Sequence, residues 1–258
     1  MIFFGELFNR NAPLAWTGMA NLALFFILLA VMPFETRTVM GINLWIKPAK
    51  FAISVVIFTW TMAWLLHDVR SDSWFGFITW GIAAAMIAEM IPITVQAARG
   101  VQSHFNITTP LDGAVFSFMG AAIFFNTLLL VMATAVFFRT ETGLAAAYLW
   151  GIRLGLIISI LASIEGGYMA ARLQHSVMVA DGGAGLPFVN WSTKGGDLRV
   201  AHFVGLHALQ LLPLAGWLLY RFAPQQATAA TLGASLLYAA FVILLFVRAM
   251  QGVPLVAR

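Results

Sequence analysis

Seven long, uninterrupted apolar runs dominate this chain, at roughly 14–33, 48–67, 74–97, 112–138, 145–171, 199–221 and 229–250. Each has about the 20 residues that a helix needs to cross the hydrocarbon core of a bilayer. The runs are continuous rather than alternating, which points to helices and not to a β-barrel. The reading is an all-α integral membrane bundle of about seven transmembrane helices, forming a single transmembrane domain over residues 1–258. Composition agrees: 61% of residues are hydrophobic and only 9% charged, with mean hydropathy +0.90. A soluble domain carries about 25% charged residues. A soluble enzyme, a disordered chain, a coiled coil and a nucleic-acid-binding domain are therefore excluded.

Cysteine is absent, which removes disulfides, thiolate metal sites, iron–sulfur clusters and covalently attached haem. The formal charge of +4 says nothing of nucleic acid, because Lys and Arg in a membrane chain mainly set topology and interface anchoring. The first run follows the polar patch Asn9-Arg10-Asn11 and lacks a clear small-residue cleavage site, so it reads as a span and not as a cleaved signal peptide. Ser71-Asp72-Ser73 supplies caps before the third run, and Thr109-Pro110-Leu111-Asp112 opens the fourth as cap, proline and first-turn acid. The longest connection, 172–198, is rich in glycine, and connections of that length are often functional.

Seven spans place the termini on opposite faces. The N-terminal face holds the short connections near 67–73, 139–143 and 222–227, and the other face holds 34–47, 98–111 and 172–198. With Lys47, Lys50, Arg99, Arg172 and Arg199 set aside as site candidates, basic residues nearly balance. The expected orientation is an N-terminus in the cytoplasm and a polar face toward the periplasm.

Charged groups inside a span are costly and usually face a cavity or a partner. Here they gather toward the face opposite the N-terminus. Glu89, Gln96 and Arg99 lie at i, i+7 and i+10 of the third run, with Pro92 on the same stripe. Glu165, Tyr168, Arg172 and His175 repeat that spacing in the fifth. Lys47 and Lys50 open the second run, while His104 and Asn106 follow the third. Asp197, Arg199, His202 and His207 cluster at the start of the sixth. His202 and His207 are five residues apart, about 140° around an ideal helix, so they cannot act as an H-x-x-x-H pair. The structural alternative is that Glu and Arg simply pair to hold helices together. Asp112 reads as a cap, His67 with Asp68 as a helix C-terminus, and Asn21 and Asn126 as hydrogen-bonding glue between spans.

The strings Trp45-Ile46-Lys47-Pro48-Ala49-Lys50-Phe51, Arg99-Gly100-Val101-Gln102-Ser103-His104-Phe105-Asn106 and Asn190-Trp191-Ser192-Thr193 with Gly196-Asp197-Leu198-Arg199 resemble a family of bacterial multi-helix inner-membrane proteins. The resemblance covers most of the chain. It implies a multi-pass bacterial membrane protein and brings no activity with it.

Three functional readings follow from the residues. The first is a membrane-embedded, metal-dependent enzyme, an oxidoreductase or a hydrolase. It would act on a lipid-like or quinone-like substrate at a polar pocket near one membrane face. There, His104, His175, His202 and His207 would bind zinc, iron or copper. Glu89 or Glu165 would be the general base, and Arg99 and Arg199 would stabilise negative charge. Lys47, Lys50, Arg172, Asn106, Gln96 and Tyr168 would bind the substrate. The second is a b-type haem electron-transfer protein, ligated by His175 with His202 or by His104 with His207. Gly166, Gly167 and Gly205 would make room for the macrocycle. The third is a transporter or a lipid- or pigment-binding subunit. The partners expected are the bilayer and a lipid-like small molecule, with no nucleic acid; an oligomer is compatible with all three readings.

Overall fold

The computed structural model describes residues 2–182 and 185–257, and all structural statements below refer to these. Seven of its helices are long and apolar enough to cross a membrane, at Ala12–Phe34, Ile46–Val69, Phe75–Ala98, Pro110–Arg139, Ala146–Arg172, Arg199–Phe222 and Ala227–Met250. They match the seven runs to within a few residues, so the chain is a multi-pass, all-α membrane protein. It divides into two units, Met1–Leu129 and Leu130–Arg258, with one long helix crossing the division.

In the first unit, a short helix α1 (Ile2–Arg10) precedes the first span, α2 (Ala12–Val31). Its face periodicity is helical over too few residues to stand out as a span. Leu7 is buried while Phe3 and Phe4 are exposed, and Phe3 stacks on Trp64 with ring centroids 6.2 Å apart. Arg10 closes α1 with its guanidinium 4.0 Å from the centre of the Trp64 ring. Asn11 then caps α2 through its side chain, which accepts from the Leu14 amide, and donates to Thr79 Oγ1 at 2.9 Å.

A hairpin of β1 (Thr38–Val39) and β2 (Ile42–Asn43) follows α2. Met40 and Gly41 take φ of 54° and 77°, the left-handed pair that a two-residue hairpin turn requires. Beside it Arg37 donates to both oxygens of Glu35, and this pairing holds the Glu35 carboxyl down at about 2. The spans α3 (Ile46–Leu66) and α4 (Phe75–Ala98) complete the packed part of this unit. Gly18 of α2 lets α3 approach, since a Cβ there would lie 2.1 Å from Trp60 Nε1. The helix α5 (Pro110–Arg139) begins in this unit and ends in the next.

The second unit is built on α6 (Ala146–Arg172), α7 (Arg199–Leu206), α8 (Ala208–Phe222) and α9 (Ala227–Met250). Lipid gives helices no hydrophobic reason to associate, so small residues that permit close van der Waals contact decide the pairing. Gly151 and Gly155 of α6 form a G-x-x-x-G pair against α8. A Cβ on Gly151 would stand 2.4 Å from the Leu212 carbonyl oxygen, and one on Gly155 2.8 Å from that of Ala208. A Cβ on Gly216 would in turn stand 2.4 Å from the Ala147 carbonyl oxygen, so α6 and α8 run antiparallel with closely approaching backbones. Arg153, a cation well inside α6, donates from Nε and Nη2 to the Phe137 carbonyl at 3.0 and 2.8 Å. It lies against the rings of Phe138 and Trp150. It thus completes the C-terminal turn of α5, where a cation is favoured. The helix α9 is peripheral within the unit, with Leu236 and Leu237 exposed as lipid-facing side chains.

Two sequence expectations are corrected. The sixth run is not one continuous helix but α7 and α8, broken at His207, whose carbonyl accepts from both Gln210 and Leu211. The stripe drawn from Glu165 to His175 stops at Arg172, because Leu173 turns left-handed at φ 53° and ends α6. His175 therefore leaves the helix and precedes β3 (Ser176–Val177), which pairs with β4 (Gly196–Asp197).

The α6–α8 contact gives a direct test. Gly151→Val forces a side chain into the Leu212 backbone and is expected to destabilise by roughly 1–3 kcal/mol. Gly167→Ala, where a Cβ meets nothing within 4 Å, leaves the thermal midpoint in detergent unchanged or raises it. Equal losses for both would refute the close-packed interface.

Candidate functional site

In the first unit, three elements meet at one histidine. The α3 N-terminus brings Lys47, α4 brings Glu89, and the connection after α4 brings Ser103 and His104. His104 Nε2 lies 3.4 Å from Glu89 Oε1, and its Nδ1 lies 3.2 Å from Lys47 Nζ and 3.1 Å from Ser103 Oγ. With the ring proton on Nε2, His104 turns its N–H side toward the Glu89 carboxyl and can accept on Nδ1 from the ammonium or from the hydroxyl. Glu89 is 3% exposed and its Oε2 has no hydrogen-bond partner among the described residues. Phe51, Phe105 and Phe116 surround the imidazole with ring centroids 5.4, 6.1 and 6.4 Å away. A quarter of the His104 side chain stays accessible.

The neighbouring polar residues shape this site. Asp112 accepts from Gln96 Nε2 at 2.9 Å, from Arg99 Nη1 at 2.8 Å and from Thr109 Oγ1 at 2.6 Å, and Arg99 also donates to Gln96 Oε1. Asp112 is the expected cap, receiving Thr109 in a reciprocal contact with its own amide, but it also anchors α4 to α5. The sequence stripe groups Gln96 and Arg99 with Glu89, whereas in the structure both side chains bond Asp112. Asn106 folds the connection, donating to the Gln102 carbonyl and accepting from Thr108. Nothing in the sequence singled out Ser103.

The second unit carries a different cluster, in the connection before the sixth span and at that span's first residue, Arg199. Arg199 makes a bidentate pair with Asp197, Nε to Oδ1 at 2.9 Å and Nη2 to Oδ2 at 2.6 Å, and Nη2 also reaches the Asn190 carbonyl. Asp197 further accepts from the Ser192 and Arg199 amides. His175 Nδ1 stands 3.4 Å from Asp181 Oδ1 and 3.6 Å from Asp197 Oδ1, and Asp181 accepts from the His175 and Ser176 amides. Burial alone would push the Asp197 carboxyl up, but the hydrogen bonds and charges of Arg199 and His175 outweigh it and hold it well below 3.8. Arg199 is thereby committed to pinning the 172–198 connection.

The remaining candidates stand apart. His202 Nδ1 meets the Ala162 carbonyl at 2.7 Å, and its ring fills the space over Gly166, where a Cβ would be 2.9 Å from Cε1. Gly205 packs on Ala162. His207 Nδ1 faces Gln210 Oε1 at 3.1 Å, and its ring lies edge-on to Phe203. The Arg172 guanidinium covers the Tyr168 ring at 5.5 Å. Among the described residues, no three His, Asp or Glu side chains stand together as a metal-binding group. The four histidines expected as ligands each have separate neighbours, His104 in the first unit and His175, His202 and His207 in the second, so the metal reading finds no support. The glycine space invoked for haem at Gly166 and Gly205 is taken by His202 and Ala162.

The sign of the pH dependence at Asp197 follows from its depressed value. Its stabilisation is fully present above 3.8 and fades as pH falls beneath that toward the lower native value. Hydrogen exchange at the Ser192 amide, corrected for intrinsic rate, should stay protected down to about pH 4 and lose protection below it. Asp197→Asn should lose that protection at every pH, at a cost of about 3 kcal/mol. Unchanged exchange in the variant would refute the assignment. Comparison of the chain with family models, with curated proteins and with solved structures finds no match in any of the three.

Proposed function

We propose that this chain is a membrane-embedded enzyme that transfers a proton to or from a lipid-like or quinone-like substrate at His104. The observation that carries the reading is the bridge from Lys47 Nζ through His104 to Glu89 Oε1, at 3.2 and 3.4 Å. A base oriented by a buried carboxylate is a recurring arrangement for proton transfer. Glu89 fixes the ring and stabilises the imidazolium, Nδ1 exchanges the proton, and the Lys47 ammonium balances negative charge on a substrate oxygen. Phe51, Phe105 and Phe116 offer the apolar walls that a substrate dissolved in the bilayer would contact. Gln96, Arg99 and Asp112 hold the connection that carries His104. The bacterial inner membrane is proposed from the resemblance of the three strings named above. An N-terminus in the cytoplasm is proposed from the balance of basic residues.

The test uses the full chain in nanodiscs, incubated with a bacterial lipid extract and with decylubiquinone, and products followed by mass spectrometry. Turnover should fall about 100-fold or more in His104→Gln and in Glu89→Gln, with binding of the lipophile retained in Glu89→Gln. Lys47→Met should weaken binding as well. Conversion at parental rates in all three variants, or uptake of a solute with no chemical change, would overturn the reading.

A further inference from the structure

Glu165 differs from every other acid in the spans. It sits on α6, 9% exposed, and its Oε1 is enclosed with no hydrogen-bond partner among the described residues. Arg172, the cation once aligned with it, lies seven residues on, about 10 Å along the helix axis. The Arg172 guanidinium covers Tyr168 instead, and its own Nη1 also has no hydrogen-bond partner among the described residues. Several polar groups of the elements packed on α6 in this unit have their own bonds. From α7, His202 donates Nδ1–H to the Ala162 carbonyl. From α9, the Tyr238 hydroxyl donates to the Val204 carbonyl. At the head of α8, His207 and Gln210 pair with each other. On α6 itself, Leu161 at i−4, Ile164 and Tyr168 at i+3 are exposed, so the carboxyl lies at the edge of a lipid-facing strip.

An unpaired carboxylate at this depth would cost far more than the neutral acid. We propose that Glu165 is a proton-binding carboxyl that holds its proton in the membrane and is reached from the lipid side. It belongs to the second unit, whereas His104 belongs to the first, and it does not depend on the function proposed above. Such a group has a specific reactivity. A carboxylic acid adds across one C=N bond of a hydrophobic carbodiimide: the acid proton goes to nitrogen and the carboxyl oxygen bonds the central carbon. The resulting O-acylisourea rearranges to a stable N-acylurea. No electrons are transferred, and the carbodiimide is the only co-reactant.

The experiment treats the full chain in nanodiscs with dicyclohexylcarbodiimide or with a water-soluble carbodiimide, and maps adducts by peptide mass spectrometry. The expected result is a dicyclohexylcarbodiimide adduct on Glu165 at neutral pH that declines as pH is raised, and little or no water-soluble adduct there. Glu165→Gln removes that adduct. The amide replaces a neutral acid of the same shape, so its melting temperature stays at or above that of the parent. Three results overturn the proposal: no adduct at Glu165 in the folded parent, preferential labelling there by the water-soluble reagent, or a marked loss of stability in Glu165→Gln, which would reveal an ionised and paired carboxylate.

Discussion

Within a bilayer the solvent offers neither donors nor acceptors, and each polar group in a span must be matched by the chain itself or stay neutral. That constraint organises most of what this molecule does with its few charges. Arg153 lies inside α6 and satisfies the last turn of α5 through the Phe137 carbonyl. Asn11 serves both the start of α2 and Thr79 of α4. Several threonines of the spans donate to carbonyls one turn back, as Thr59 does to Val55.

The acids show the same constraint met to different degrees. Asp197, outside the spans, has a bidentate guanidinium and two backbone amides, and its work is to lock a connection. Asp112 gathers Gln96, Arg99 and Thr109, and likewise holds structure. Glu89 has one oxygen facing His104 and the other without a hydrogen-bond partner among the described residues. Glu165 has an enclosed oxygen with no hydrogen-bond partner among them. Structural acids are saturated, whereas groups that exchange protons must keep a free valence. On that criterion the two glutamates are set apart from the aspartates.

The seven spans were legible because length and unbroken apolarity are one-dimensional properties. The individual residues of the site were legible for a related reason: a charge inside an apolar run stands out wherever it falls. What was not legible was which charge meets which. Asp112 announced itself as a cap, and its bonds to Gln96 and Arg99 depended on the end of α4 meeting the start of α5. Ser103 carries no anomaly in sequence. His175 was placed on a helical stripe that Leu173 terminates, and helix ends set by a left-handed residue other than glycine are hard to read from composition. The short α1 escaped because nine residues are too few for a periodic signal to compete with the first span.

Amino-acid order by itself determined that this chain lives in a membrane as a bundle of helices. Hydropathy summed over about twenty residues is insensitive to what packs against what. Tertiary structure alone decided the chemistry. Whether a histidine is a ligand, a relay or a brace depends on contacts of 3 to 4 Å between elements distant in sequence. Local spacing cannot specify those distances, because they depend on how elements distant in sequence pack, as where Gly151, Gly155 and Gly18 let neighbouring helices draw close.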